Sequence, residues 1–149
     1  LVTHNLGENH FTLGEALHTY FQISDVRQVA IHGLENCEYL DKVANSQRQR
    51  QVGAVTINGP TDRVYLHTTA DCLIEDPGWK RRIRIAKEGS HSTVVWNPWE
   101  DQAARLGDCG YQGYLGMVCV ETVNAAENMV TVKPGKKHRL QAVISVESL

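Results

Sequence analysis

Two side chains in this sequence have the type and placement for proton-transfer chemistry. In residues 16–23, Leu17, Thr19, Phe21 and Ile23 share one face of a strand, and Ala16, His18, Tyr20 and Gln22 share the other. His18 therefore points away from the bulkiest aliphatics, between a small residue and an aromatic. A strand can offer an imidazole to a ligand groove this way, with Tyr20 as a stacking surface, although a half-buried strand histidine without a function is the commoner outcome. Residues 116–122 place Met117, Cys119 and Glu121 on one face and Val118, Val120 and Thr122 on the other. A carboxylate ending so apolar a strand is costly unless it is paired or used. Desolvation would raise its pKa toward the range of a general base. The plain alternative is that the strand ends at Val120 and Glu121 meets solvent, and alternation alone leaves both open.

Asp62, in Thr61-Asp62-Arg63-Val64-Tyr65 directly after a turn, is placed to accept hydrogen bonds from sugar hydroxyls or, more commonly, to cap local backbone. Trp96 and Trp99 flank Asn97-Pro98 and have the faces for stacking on a sugar, but tryptophans at a sheet edge usually fill core, and core is the expectation for both. The remaining histidines match no zinc motif, and no metal is expected. Cys37, Cys72, Cys109 and Cys119 are spaced by 35, 37 and 10 positions, so no Cys-x-x-Cys pair is present and reduced, buried thiols are expected. With no phosphate loop, nucleophile elbow or dinucleotide fingerprint in the sequence, no cofactor is expected either.

These residues need strands to hold them. Period-2 alternation recurs at 16–23, 29–33, 63–67, 82–86, 93–96, 116–122, 129–132 and 140–146, which predicts an all-β antiparallel sandwich or barrel. Turn signals separate the runs at Asn58-Gly59-Pro60, Asp76-Pro77-Gly78, Glu88-Gly89-Ser90 and Lys133-Pro134-Gly135. One short helix is expected over 99–106, capped by Asn97 with Pro98 in its first position. The polar, basic stretch 44–51 reads as an exposed connection.

At 149 residues a single domain with a real core is the prior. A net charge of −2 offers no basic field for nucleic acid, and no apolar run approaches the roughly 20 residues of a membrane span. Free thiols without a leader make the cytosol the expected compartment.

The run Ala16-Leu17-His18-Thr19-Tyr20-Phe21, continuing through Ser24-Asp25-Val26, resembles the central motif of the hexose-6-phosphate mutarotases, also called glucose-6-phosphate 1-epimerases. Gly33-Leu34, Tyr39-Leu40-Asp41-Lys42-Val43, Thr61-Asp62-Arg63-Val64-Tyr65, Val95-Trp96-Asn97-Pro98-Trp99 and Val118-Cys119-Val120-Glu121-Thr122 follow in the family's order. The resemblance implies a galactose-mutarotase-like β-sandwich with His18 as general acid, Glu121 as general base and Asp62 as a ligand of substrate hydroxyls. It also implies interconversion of the α and β anomers of a hexose 6-phosphate without a cofactor. Anomer exchange needs one group to take the C1 hydroxyl proton and another to protonate the ring oxygen, so the two roles rest on opposed tuning in one groove. Competing readings are a carbohydrate-binding sandwich without chemistry, an epimerase of unphosphorylated aldoses and, more weakly, a glycoside hydrolase, which needs a second carboxylate.

Members of that family are roughly twice as long, and arginines in their N-terminal half are associated with the sugar phosphate. No segment here matches that half. Residues 1–149 are therefore expected to be the C-terminal portion of one sandwich, with exposed sheet left for the N-terminal half or a second copy to cover. Arg27, Arg63 and Lys42 are the cations with a chance of supplying positive charge, but nothing in the sequence makes them a clamp.

Overall fold

Alternating apolar and polar residues give strands a buried face and a wet one, and the computed structural model, which describes residues 1–107, 110 and 112–149, is built from such strands. In order they are β1 (Val2–His4), β2 (Phe11–Leu13), β3 (Glu15–Leu17), β4 (Tyr20–Gln22), β5 (Ala30–His32), β6 (Glu38–Asp41), β7 (Gln47–Arg50) and β8 (Thr61–Tyr65). There follow β9 (Cys72–Asp76), β10 (Arg81–Glu88), β11 (Ser92–Asn97), α1 (Trp99–Ala103), β12 (Met117–Asn124), β13 (Val130–Val132), β14 (Lys137–Arg139) and β15 (Gln141–Ser148). One sheet has the order β15-β10-β9-β5, and a seven-stranded sheet has the order β3-β12-β11-β8-β6-β7 with β4 also paired to β12. Two short ribbons, β1-β14 and β13-β2, complete the antiparallel pairing.

The core lies between the two large sheets. Ile31, Ile74, Ile83 and Ile85 project from the smaller one and meet Phe21, Tyr65, Val95, Val118 and Val120 from the larger. Of the two architectures that alternation leaves open, sandwich and barrel, this is the antiparallel β-sandwich that the resemblance implies, with one short helix. Gly89 makes the expected reversal after β10: its φ is +71°, and a Cβ there would stand 1.9 Å from the Arg139 carbonyl oxygen.

Several expectations change. The strand expected at 16–23 is divided into β3 and β4, and the stretch expected as a connection at 44–51 contains β7, which pairs with β6. Arg48 and Arg50 of β7 both reach Glu38 of β6, so charge pairs and backbone bonds carry a strand with no apolar face. The helix is shorter than expected, and Pro98 is its N-cap residue rather than its first helical position. Asn97 Oδ1 nonetheless accepts the Trp99 N–H at 2.9 Å. Cys37, Cys72 and Cys119 are free, the last two buried, while the expectation for Cys109 lies outside the described residues. No helix among the described residues is long and apolar enough to cross a membrane.

β15 exposes its inward side. Ile144 and Val146 pair with Ile85 and Ile83 of the core, yet they are 47% and 61% exposed. Among the described residues no strand pairs with the outer edge of β15, so the four-stranded sheet ends on an apolar edge strand of the kind folded proteins ordinarily cover.

Candidate active site

His18 and Glu121 are brought together by a break in one strand pair. β12 pairs with β4 through Cys119↔Tyr20 and with β3 through Thr122↔Leu17, in the same register on both sides of the break. His18 and Thr19 lie between the two ladders, where the Thr19 N–H turns back to the Leu17 carbonyl at 3.0 Å. Glu121 consequently faces His18, with Nε2 of His18 3.3 Å from Oε1 of Glu121. The two side chains differ in exposure, 47% for the imidazole and 7% for the carboxylate, so a deeply set acid lies beneath a ring open to solvent.

The faces fall as alternation predicts. Phe21 and Ile23 enter the core, as do Val118 and Val120, while Tyr20 and Gln22 stay exposed on the side of His18. Tyr20 stacks on the His18 ring at 4.9 Å with 14° between planes, and Trp96 meets the imidazole edge-on at 5.9 Å. The three rings form one aromatic corner that fixes the plane of the imidazole. Trp96 is thereby a correction to the expectation of core for both tryptophans, since it faces the groove. Trp99 packs against the core and on Tyr114, as expected.

Asp62 reaches the same side of the sheet through β8 and β11, because Trp96 pairs with Asp62 on one flank and with Cys119 on the other. Its charge is felt at Glu121. Burial first, and the Asp62 charge second, push the Glu121 carboxyl up to about 7. Asp62 itself is raised, chiefly by burial, with Lys42 and His18 pulling it down. Burial also drives the Cys119 thiol up, so this neighbour stays an uncharged wall of the groove.

Arg63, the next residue of the same motif, is turned to the opposite face. Its guanidinium lies over the Tyr39 ring at 5.0 Å, with Nε 3.8 Å from Asp41. A cavity of about 440 Å³, lined by Tyr39, Gln51, Thr61 and Arg63 among others, opens there and contains none of His18, Asp62 or Glu121. This cavity is thus separate from the groove over His18.

Asn97 secures the end of the groove at which β11 stops. It is buried, and its side-chain nitrogen donates to the carbonyls of Tyr114 at 2.8 Å and Met117 at 2.9 Å. Asn97→Ala is expected to destabilise the fold by about 2–3 kcal/mol, because the buried Tyr114 carbonyl, the part-buried Met117 carbonyl and the Trp99 N–H each lose a hydrogen bond. Denaturant midpoints of the two proteins at equal m-value measure it.

A β-sandwich here sets an imidazole against a buried carboxylate, the pairing of groups that acid–base chemistry uses. The chain belongs to the aldose 1-epimerase family, whose description matches residues 2–145. It is 37% identical over 136 residues to a protein from Cenchrus ciliaris named as a candidate glucose-6-phosphate 1-epimerase, covering 91% of this chain and 41% of that one. A protein of the same name from Escherichia coli K12 is 33% identical over 139 residues, which is 91% of this chain and 47% of that one. Among solved structures, a candidate mutarotase from Salmonella typhimurium superimposes with a TM-score of 0.87 at 32% identity, over 95% of this chain and 48% of that chain. The chain thus spans about half the length of the relatives it matches.

Proposed function

We propose that the protein to which this chain belongs interconverts the α and β anomers of a hexose 6-phosphate, with Glu121 as base, His18 as acid and Asp62 as a ligand of the sugar hydroxyls. The observation that carries the reading is the 3.3 Å contact between His18 and Glu121 on the open face of the sheet. In a cyclic hexose the hydroxyl to be deprotonated and the ring oxygen to be protonated are both bonded to C1. An acid and a base that serve them together must be neighbours, as these two are. Glu121 takes the C1 hydroxyl proton, His18 gives its proton to the ring oxygen, and the C1–ring oxygen bond opens. Rotation about C1–C2 presents the other carbonyl face, and ring closure with the roles reversed gives the second anomer. The phosphate comes from the relatives named for glucose 6-phosphate.

We further propose that residues 1–149 are the C-terminal portion of one sandwich. The half-length match to relatives supports this, as do the exposed Ile144 and Val146 on β15.

Exchange NMR between the anomers of glucose 6-phosphate tests the activity in the full-length protein. Acceleration over buffer is expected, and its absence overturns the proposal. The reaction should also show a pH dependence set by the base. Glu121 works deprotonated, so the acid limb of the rate profile should rise with pH through about 7. Asp62→Asn removes a negative neighbour that raises Glu121, so the midpoint should move to lower pH even as the maximal rate falls. A pH–rate profile of the two proteins separates that shift from a simple loss of rate.

A further inference from the structure

β3 and β4 both run along β12, but only β4 is fastened by the core. Phe21 of β4 is buried in it, and Ile23, just beyond, is buried too and donates its N–H to the Gly116 carbonyl at 2.9 Å. β3 has three residues, none of them in the core cluster, and three pairs with β12. So short a ladder does not fix its own register. Register matters here, because His18 directly follows β3. A slip of one residue would turn His18 to the other face, and a slip of two, which keeps the faces, would carry it about 7 Å along the strand of Glu121.

Glu15 is the residue of β3 that can fix it. It pairs with Asn124 across the ladder and, by alternation, projects with Leu17 and Thr122 to the side away from the groove. Its side chain is only 4% exposed. Oε1 accepts the Asn124 side-chain N–H at 3.1 Å and lies 2.7 Å from Nε2 of His138 on β14. Asn124 is fully buried; it also donates to the Gly89 carbonyl at 2.7 Å and accepts the His91 N–H at 3.0 Å, both in the turn between β10 and β11. One carboxylate thus joins β3, β12, β14 and a turn that leads out of the smaller sheet. The two strands it ties are those of the candidate acid and base, since Glu15 is three residues before His18 and Asn124 three residues after Glu121.

Stability alone is a poor account of this carboxylate. Oε2 is buried, and no donor of the described residues reaches it. A half-satisfied carboxylate is costly to desolvate, and an apolar residue of similar volume fills the space as well or better. What an apolar residue lacks is direction. Hydrogen bonds to Asn124 and His138 allow one register of β3, whereas a leucine packs nearly as well after a slip.

We propose that Glu15 is a positioning residue of the active site: tied to Asn124 and His138, it sets β3 on β12 and so holds His18 against Glu121. The assignment rests on the mutarotase reading above. Because Glu15 faces away from the groove, what it contributes to rate passes through His18.

The test uses the full-length protein and exchange NMR of the glucose 6-phosphate anomers. Glu15→Ala is expected to lower kcat by about 10–100-fold, the scale of a displacement of about 1 Å at a reacting group. KM should stay within about twofold, since substrate contacts are untouched. Glu15→Gln, which keeps the accepting oxygen, should retain most of kcat. In a His18→Asn background, at protein concentrations where catalysis still exceeds buffer, Glu15→Ala should cost nothing further, because the group it places is gone. A mere support of the fold would lower that background as much as the parent. Such a result overturns the assignment, as does an unchanged kcat in Glu15→Ala. Should Glu15→Ala fail to fold, His138→Ala breaks the same tie from β14 and carries the same expectations. Amide hydrogen exchange gives a readout that needs no activity: residues 15–17 should lose protection in Glu15→Ala while residues 20–22 keep theirs. Equal protection of 15–17 in the two proteins overturns the tie itself. If the parent accelerates no anomer exchange, the mutarotase reading fails, and amide protection still decides whether Glu15 holds β3. If the parent does accelerate it and kcat is indifferent to Glu15, that reading stands and this one does not.

Discussion

Glu121→Gln is expected to lower anomer exchange by about 10²–10⁴-fold, the range over which a positioned general base contributes. The substitution keeps the shape of the side chain and removes only the ability to take a proton, so a loss of rate reports chemistry rather than packing. Stability offers an independent check with the opposite sign. Burial holds Glu121 at about 7 in the folded chain against an ordinary value of 4.5, so the folded state binds this proton more tightly than the unfolded chain does. Between those two values stability rises as the pH falls. Above pH 7 the buried charge is a standing cost, on the order of 1–3 kcal/mol. Gln carries no charge to desolvate, so the variant should unfold at a denaturant concentration equal to or above that of the parent at pH 8, and the difference should shrink toward pH 5. Rate lost with stability kept marks a group held in place for function. A variant that exchanges anomers as fast as the parent rules Glu121 out as the base, and one that unfolds earlier at pH 8 makes it a structural residue.

That the carboxylate is buried and set against an imidazole follows from features the sequence shows unequally. Alternation along 16–23 and 116–122 correctly separates core from groove, because Phe21, Ile23, Val118 and Val120 are heavy enough to fix which face goes inward. The meeting of His18 with Glu121 is not legible at that level. It needs β12 to pair with both β3 and β4 across about a hundred residues of chain, and a ladder break that frees the imidazole. Trp96 shows a different failure. Judged by residue type it belongs to the core, yet Val95 beside it is fully buried, and alternation then sends Trp96 to the other face. The signal was present, and parity outranks residue type here. The three-residue strands β1, β2 and β14 are too short for a period to register, and β7 has no apolar residue to show one. Which cations can face the groove is legible only once register is known, since the sequence offers Lys42, Arg27 and Arg63 as equals, while the sheet turns Arg63 away and Asp25 ties up Arg27.

His18→Asn should produce a loss of the same order as Glu121→Gln, about 10²–10⁴-fold, because each direction of the reaction needs both proton transfers. The geometry explains why the ring has little freedom. Tyr20 lies flat against it and Trp96 meets its edge, which leaves Nε2 aimed at the carboxylate and the rest of the imidazole open to the groove. A ring so placed can share a substrate with Glu121 only if the two act on atoms bonded to the same carbon. That constraint yields a sharper test than either single variant. If acid and base operate together in one ring-opening step, the double variant His18→Asn/Glu121→Gln should be little slower than the slower single one, since a pair with one member missing has already lost the step. Losses that multiply would mean that the two groups work independently, and the paired mechanism would be wrong. Because half of the imidazole is exposed, its removal also leaves an opening between Tyr20 and Trp96 that solvent can enter. Added free imidazole should therefore restore part of the rate to His18→Asn and none to Glu121→Gln, a difference that a support role for the ring would not produce.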